Sequence, residues 1–206
     1  MIDFERELHV FNSQKLVAVV NEAIEFFART PVHILPPPER FLGGGVYALY
    51  YKGGFTPYAK IVQRNQFTCE LPIYVGKAVP PGWRTARINI SESSDLYRRL
   101  GEHARSIAQV SNLEVTDFRC RFMILGDLAA DLVVPVEARL IREYKPLWNM
   151  IVDGFGNHDP GKGRYNQANS EWDVMHPGRT WADRLTGEAA SIESVTGKVK
   201  VYSDSL

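Results

Sequence analysis

The runs Gly45-Val46-Tyr47-Ala48-Leu49-Tyr50-Tyr51 and Leu71-Pro72-Ile73-Tyr74-Val75-Gly76 decide how this chain is read. In both, β-branched and aromatic residues cluster between Gly and Pro, the composition of short strands. Each carries a tyrosine tripeptide: Gly45-Val46-Tyr47 in the first, Tyr74-Val75-Gly76 in the second. Neighbouring antiparallel strands would bring the two phenols close together. A single strand tyrosine is ordinarily a packing residue with its hydroxyl at the surface, so neither tripeptide carries weight alone.

Working outward, Asp95 to Val110 reads as a helix capped by Ser94 or Asp95. Arg99 and His103, four residues apart, fall on one face, while Leu96, Leu100 and Ile107 line a neighbouring apolar face. From Val115 to Leu125, Phe118, Cys120, Phe122 and Ile124 alternate with Arg119, Arg121 and Met123, which predicts a third, half-buried strand. Pro135 suits the first position of a helix running to about Tyr144, with Val136 and Leu140 inward and Glu137 near the start.

Before the first tripeptide, Ser13 offers an N-cap for a helix from about Gln14 to Ala28, with Leu16, Val20, Ile24 and Phe27 on one face. Pro36-Pro37-Pro38 breaks regular structure and delivers the chain to Gly43-Gly44-Gly45, where the first core strand can begin close to other backbone. The stretch Lys52 to Glu70 is longer than a tight hairpin and reads as an excursion toward a ligand or an extended hairpin. Lys198 to Tyr202 is strand-like.

The ordered series Tyr47, Tyr74, Lys77, Arg99, His103, Glu137 and Asn149 resembles the GIY-YIG nuclease superfamily over about residues 45 to 149, with Val replacing Ile in both tripeptides. Downstream, Gly154-Phe155-Gly156-Asn157-His158, Pro160-Gly161-Lys162-Gly163-Arg164, Trp172-Asp173 and His176-Pro177-Gly178-Arg179 resemble the type II restriction endonuclease branch, which includes enzymes cutting the palindrome CCGCGG. The resemblance implies an α+β fold: a three-stranded antiparallel sheet flanked by helices. It implies a single domain over 1–206, with a helical extension at 1–42, a core at 43–150 and a polar lobe for DNA contact and dimerisation at 151–206. Insertions are expected near 52–70 and 79–94.

Hydrolysis of a phosphodiester needs a deprotonated water and charge stabilisation at phosphorus. A phenolate beside Lys77 and Arg99 would have its pKa lowered, which makes Tyr47 the expected base, while the sequence does not separate its role from that of Tyr74. The planar fork of Arg99 suits bidentate phosphate binding. His103 is placed to hydrogen-bond a phosphate or a tyrosine hydroxyl. Glu137 is the expected ligand of one magnesium ion per active site, a cation that keeps waters and needs few carboxylates. Asn149 closes the family pattern as a hydrogen-bonding support.

By the same resemblance, the insertions and the lobe supply DNA contacts, with Arg84, Arg87, Lys162, Arg164, Gln167 and Arg179 as candidates. The last three read equally well as phosphate ligands or as braces of the lobe. The implied partners are double-stranded DNA, a second copy of the chain in a two-fold dimer, and a DNA methyltransferase that protects the host site.

Composition narrows the alternatives. The net charge is zero, so any DNA face must come from local asymmetry such as Trp83–Arg87, Arg119–Arg121 or Lys162–Arg164. Cys69 and Cys120 lack CxxC spacing, which argues against a zinc site. Gly156-x4-Gly161-Lys162-Gly163 begins like a P-loop, but Gly163 replaces the Ser or Thr that would reach magnesium. A charged Met1–Leu8 and the lack of a long apolar run predict a cytoplasmic protein with no membrane span. A GIY-YIG nicking or repair nuclease and a noncatalytic DNA-binding module on the same scaffold are the competing readings.

Overall fold

The computed structural model describes residues 4–83 and 89–206. In chain order its principal elements are α1 (Gln14–Arg29), β1 (Val32–Ile34), β2 (Gly45–Tyr51), α2 (Ala59–Asn65), β3 (Tyr74–Ala78), α3 (Asp95–Ala108), β4 (Phe118–Ile124), α4 (Val133–Tyr144), α5 (Leu147–Met150), α6 (Glu171–Met175) and α7 (Ile192–Asp204). The fold is α+β. Its sheet is antiparallel with strand order β1-β4-β2-β3, so it holds four strands where the sequence predicted three. The added strand, Val32-His33-Ile34, is too short for alternation to declare it.

β2 is buried along its whole length because both faces of the sheet are covered. Tyr47, Leu49 and Tyr51 join α3 and the residues after Trp148 in one apolar cluster. Val46, Ala48 and Tyr50 join α1 and α4 in another. That double cover also corrects the reading of β4: Met123, expected to share the solvent face with the arginines, is buried under the α1–α4 layer, and Ile124 is 44% exposed. Arg121 lies on the same covered face and donates to Ala28 O and Thr30 O, orphan carbonyls at the end of α1.

Ser13 Oγ caps α1 by accepting from Leu16 N at 3.2 Å. Val20, Ile24 and Phe27 are buried as predicted, whereas Leu16, in the first turn, is exposed. α4 begins two residues earlier than expected. Pro135 occupies its third position, where the missing N–H is still one of the orphans of the first turn.

The connection of residues 52–70 is neither a long hairpin nor a free excursion. α2 and the turn before it bury Tyr58, Ile61 and Asn65. Asn65 closes the segment with four hydrogen bonds, donating to Tyr51 O and Leu71 O and accepting from Glu70 N and Leu71 N.

The strand expected at Lys198–Tyr202 is part of helix α7. Ser191 Oγ caps it, and Val195, Val199 and Tyr202 recur at helical spacing on its buried side. α7 packs on α6 and on the turn before α2. Trp148, Phe155, Trp172 and Met175 lie in the same buried cluster as Tyr47 and Leu100, so the polar segment after Gly154 is docked onto the sheet. Among the described residues no helix is long and apolar enough to cross a membrane.

Candidate active site

The pairing of β2 with β3 sets Tyr47 opposite Gly76. A Cβ on Gly76 would lie 2.5 Å from the Tyr47 hydroxyl oxygen, so the glycine of the second tripeptide makes room for the tyrosine of the first. Gly45 is constrained in the same way, since a Cβ there would collide with Met123 O on β4. Tyr47 and Tyr74 sit diagonally on one face of the sheet with ring centroids 6.2 Å apart.

Above them runs α3, held down by Leu96, Leu100, Ala104 and Ile107. The Tyr47 hydroxyl lies 2.6 Å from His103 Nε2. Burial, and then the neighbouring Tyr74, push the Tyr47 phenol well above its ordinary pKa, and Arg99 offsets only part of this. The expected lowering of that pKa is therefore corrected: a fully buried phenol pays a desolvation cost for its anion that the adjacent cation does not repay. Burial, and then Arg99, hold His103 well below its ordinary pKa. With the phenol protonated and the imidazole neutral, Tyr47 O–H donates to Nε2 in the tautomer that carries the ring proton on Nδ1. The Tyr74 phenol is raised as well, again by burial first.

Arg99 emerges beside both phenols with its side chain 20% exposed. It donates to Glu102 Oε2 at 3.0 Å, His158 Nε2 at 2.6 Å and Gly156 O at 3.2 Å. These three bonds use three of its five N–H hydrogens and leave two for a phenol or an incoming anion. Arg98 points to solvent and pairs with Asp95 and Glu102, as a surface arginine does.

Lys77 and Glu137 form an ion pair at the rim, with the Glu137 carboxylate the more buried partner. Both phenols feel the Glu137 charge. Lys77, Arg99, Glu102 and His158 line an open groove of about 440 Å³. Among the described residues no three His, Cys, Asp or Glu side chains converge to hold a metal ion. Asp95 and Glu102 in this groove are paired with Arg98 and Arg99, and Glu137 beside Lys77 offers one hard carboxylate, which fits a cation that takes its remaining ligands from water and phosphate oxygens.

Asn149, in α5, accepts from Val75 N and donates to Val75 O, both at 2.8 Å. It fastens the outer edge of β3 immediately after Tyr74. All seven residues read as the core site, Tyr47, Tyr74, Lys77, Arg99, His103, Glu137 and Asn149, thus gather around the β3 edge.

The DNA candidates divide. Lys162, Arg164 and Gln167 are exposed on the lobe, and the last two border a polar pocket of about 320 Å³ shared with Asn157 and His158. Arg84 and Arg87 lie outside the described residues. Arg179 is corrected from DNA contact to internal brace. It is 1% exposed, pairs with Asp173 and lies between the Trp172 and Trp181 rings.

Sequence reasoning passed over Glu102 and took Phe155, Gly156 and His158 only as part of the stretch that carries the resemblance, not as site residues. Glu102 was legible from its i+3 spacing to Arg99. Phe155, which stacks on His103 at 4.6 Å, and His158 reach the site only through the docking of the lobe.

Comparison with known proteins matches the Eco29kI GIY-YIG domain model to residues 39–203. No curated protein matches the chain.

Proposed function

The chain belongs to the Eco29kI GIY-YIG domain family, which makes it a GIY-YIG restriction endonuclease, and we propose that it is a type II enzyme that cuts double-stranded DNA at a short palindromic, GC-rich site, CCGCGG. The observation that carries the chemistry is the 2.6 Å hydrogen bond from the Tyr47 hydroxyl to a neutral His103 beside Arg99.

A free phenolate is not needed. As a water attacks phosphorus, its proton passes to the Tyr47 oxygen while the Tyr47 proton passes to His103 Nε2, and the ester P–O bond in line with the attack breaks, its leaving oxygen taking a proton from solvent. The negative phosphate entering beside Arg99 favours the imidazolium that results. The two Arg99 N–H hydrogens that face the phenols turn to phosphoryl oxygens as DNA enters, and Tyr74 holds the water or phosphate in line. Asn149 fixes the strand that carries Tyr74. Lys77 releases Glu137 or turns toward the phosphate as DNA enters.

GIY-YIG nucleases are generally metal-dependent, and Glu137 would hold a magnesium ion whose charge offsets that gathering on the phosphate. Every proton transfer that activates the water lies on the protein's own side chains.

Recognition of a palindrome follows from a two-fold dimer in which each subunit reads one half-site and cuts one strand. Lys162, Arg164 and Gln167, with Arg84 and Arg87 of the 79–94 insertion, are the proposed DNA contacts. A cytoplasmic setting and a companion DNA methyltransferase complete this reading.

The test is digestion of plasmid and phage DNA with and without magnesium, run beside Tyr47→Phe and Glu137→Ala proteins. Discrete fragments lost in both variants and without magnesium support the proposal and map the site. Nicks or smears favour a nicking or repair nuclease, and intact DNA with retained binding favours a noncatalytic module.

A further inference from the structure

We propose that the turn Gly154–His158, clamped from inside the lobe by Arg179, is a positioning device for Arg99 and His103, with His158 as the residue that aims the guanidinium. This inference rests on the nuclease reading above.

Arg179 spends all five N–H hydrogens in the interior. Nε donates to Asp173 Oδ1 at 2.6 Å and Nη2 donates to Asp173 Oδ2 at 2.7 Å. The other three hydrogens go to main-chain carbonyls of one turn: Nη2 to Gly154 O at 3.0 Å, and Nη1 to Phe155 O at 3.1 Å and Asn157 O at 3.3 Å. The flanking indole rings of Trp172 and Trp181 lie about 4.5 Å and 4.6 Å from the guanidinium carbon. A buried arginine with every donor satisfied and both π faces covered has one available orientation, so the three carbonyls are fixed with it.

What the turn presents on its other side is the active site. The Phe155 ring stacks on the His103 imidazole at 4.6 Å with 16° between planes. Gly156 O and His158 Nε2 each accept from Arg99. Two of the three bonds that orient the Arg99 guanidinium therefore come from this turn, and only Glu102 comes from its own helix. Residues 43–150 supply only part of what orients their phosphate-binding arginine, through Glu102 and the two phenols, and the turn supplies the rest.

His158 supports the experiment because it is exposed and its loss leaves the core intact. Burial and Arg99 lower the His158 pKa, in keeping with a ring that accepts at Nε2. In the full-length protein, His158→Ala, His158→Gln and Arg179→Lys are compared with the parent. Single-turnover cleavage of supercoiled plasmid is measured with enzyme in excess. Binding of fragments of the same plasmid without divalent metal, and the melting temperature, are measured alongside.

His158→Ala is expected to slow cleavage about tenfold, the effect of one misdirected charge-assisted hydrogen bond in the transition state, with binding and melting temperature unchanged. His158→Gln, whose amide oxygen can accept from Arg99, recovers most of the rate. Arg179→Lys, which keeps the charge for Asp173 but not the three carbonyl bonds, loses cleavage as well if it folds. If it does not fold, the two His158 variants decide the matter.

Cleavage by His158→Ala within twofold of the parent overturns the proposal. So does a rate loss matched by an equal loss of DNA binding, which would make His158 a DNA contact, or a Gln variant no better than Ala. A parent protein that cuts no DNA removes the nuclease reading and this inference with it, and the parent control tells that failure apart from the others.

Discussion

Asn149→Asp is the most discriminating single change in the site's support, because it keeps size and shape and removes one donor. The Asn149 amide pairs with both main-chain groups of Val75 at 2.8 Å, in the manner of a neighbouring strand on the outer edge of the sheet. Two bonds at about 1 kcal/mol each, together with the cost of leaving the partly buried Val75 N–H and C=O unpaired, put Asn149→Ala about 2–4 kcal/mol below the parent. In Asn149→Asp at pH 7 the carboxylate still accepts from Val75 N, but a lone pair faces Val75 O where the N–H was. The loss should be at least as large as for Ala. Protonation restores a donor, so the folded-state pKa of the introduced carboxyl lies above its unfolded value of about 3.9. A group raised in this way stabilises below the unfolded pKa and loses that contribution as pH rises through the folded pKa. Urea unfolding of parent and both variants between pH 7 and pH 4 gives the assay. The gap between parent and Asn149→Asp should close toward pH 4, while the gap to Asn149→Ala stays constant. A penalty for Asn149→Ala below about 0.5 kcal/mol, or an Asp gap independent of pH, refutes the account of Asn149 as the clasp of β3.

Other expectations follow from the same geometry. Gly76→Ala places a methyl against the Tyr47 hydroxyl; it should cost about 1–3 kcal/mol of stability and displace Tyr47 enough to reduce plasmid cleavage at least tenfold, read by thermal unfolding and gel assay. Glu137→Gln should lose cleavage about a hundredfold or more while keeping DNA binding, and addition of a chelator to the parent should do the same; a Gln variant as active as the parent would leave Glu137 as no more than the partner of Lys77. His176, which accepts from Tyr58 and faces Asn112 through its other nitrogen, is pushed by burial, and then by Arg179, down to about 3. The unfolded chain binds that proton near pH 6.5 and the folded chain does not, so stability falls as pH drops below about 6.5. The loss reaches about 2–3 kcal/mol by pH 4.5, and His176→Gln should flatten that part of the urea-measured profile.

The legibility of the fold varied with how directly a sequence pattern reports burial. α3 and the first two core strands were readable because turn residues bracket them and their apolar positions keep one period. β4 was read correctly as a strand but with one face wrong, since alternation of Arg with Phe and Cys describes a half-solvated sheet and says nothing of α1 arriving over Met123. α7 was misread because Val199 and Val201 favour strands as isolated residues. The helix wins through Val195, Val199 and Tyr202 burying together, a spacing that spans more residues than the short apolar run from Val199 to Tyr202. β1 left no signal beyond three residues whose partner, β4, lies far along the chain.

The site was legible where a role depends on residue type and order, and opaque where it depends on docking. Tyr47, Tyr74, Arg99, His103 and Asn149 share one sheet face or its edge, and their order along the chain is fixed by the strands and helices that carry them. Their electrostatics were not legible. The expected acidic phenol assumed that a neighbouring cation decides the pKa, but Tyr47 sits beneath α3 and the lobe, and removal from water outweighs Arg99. The same cover that makes the phenol a poor free acid brings His103 to 2.6 Å from its oxygen and supplies Phe155, Gly156 and His158 around the cationic side. Arg179 illustrates the point from the other direction. As text, an arginine in a polar C-terminal segment reads equally as a DNA contact or as a brace; in space, Asp173 and two indoles enclose it. Its charge is spent on holding a turn against Arg99, so the arginine that faces the groove owes its orientation to one that never leaves the interior.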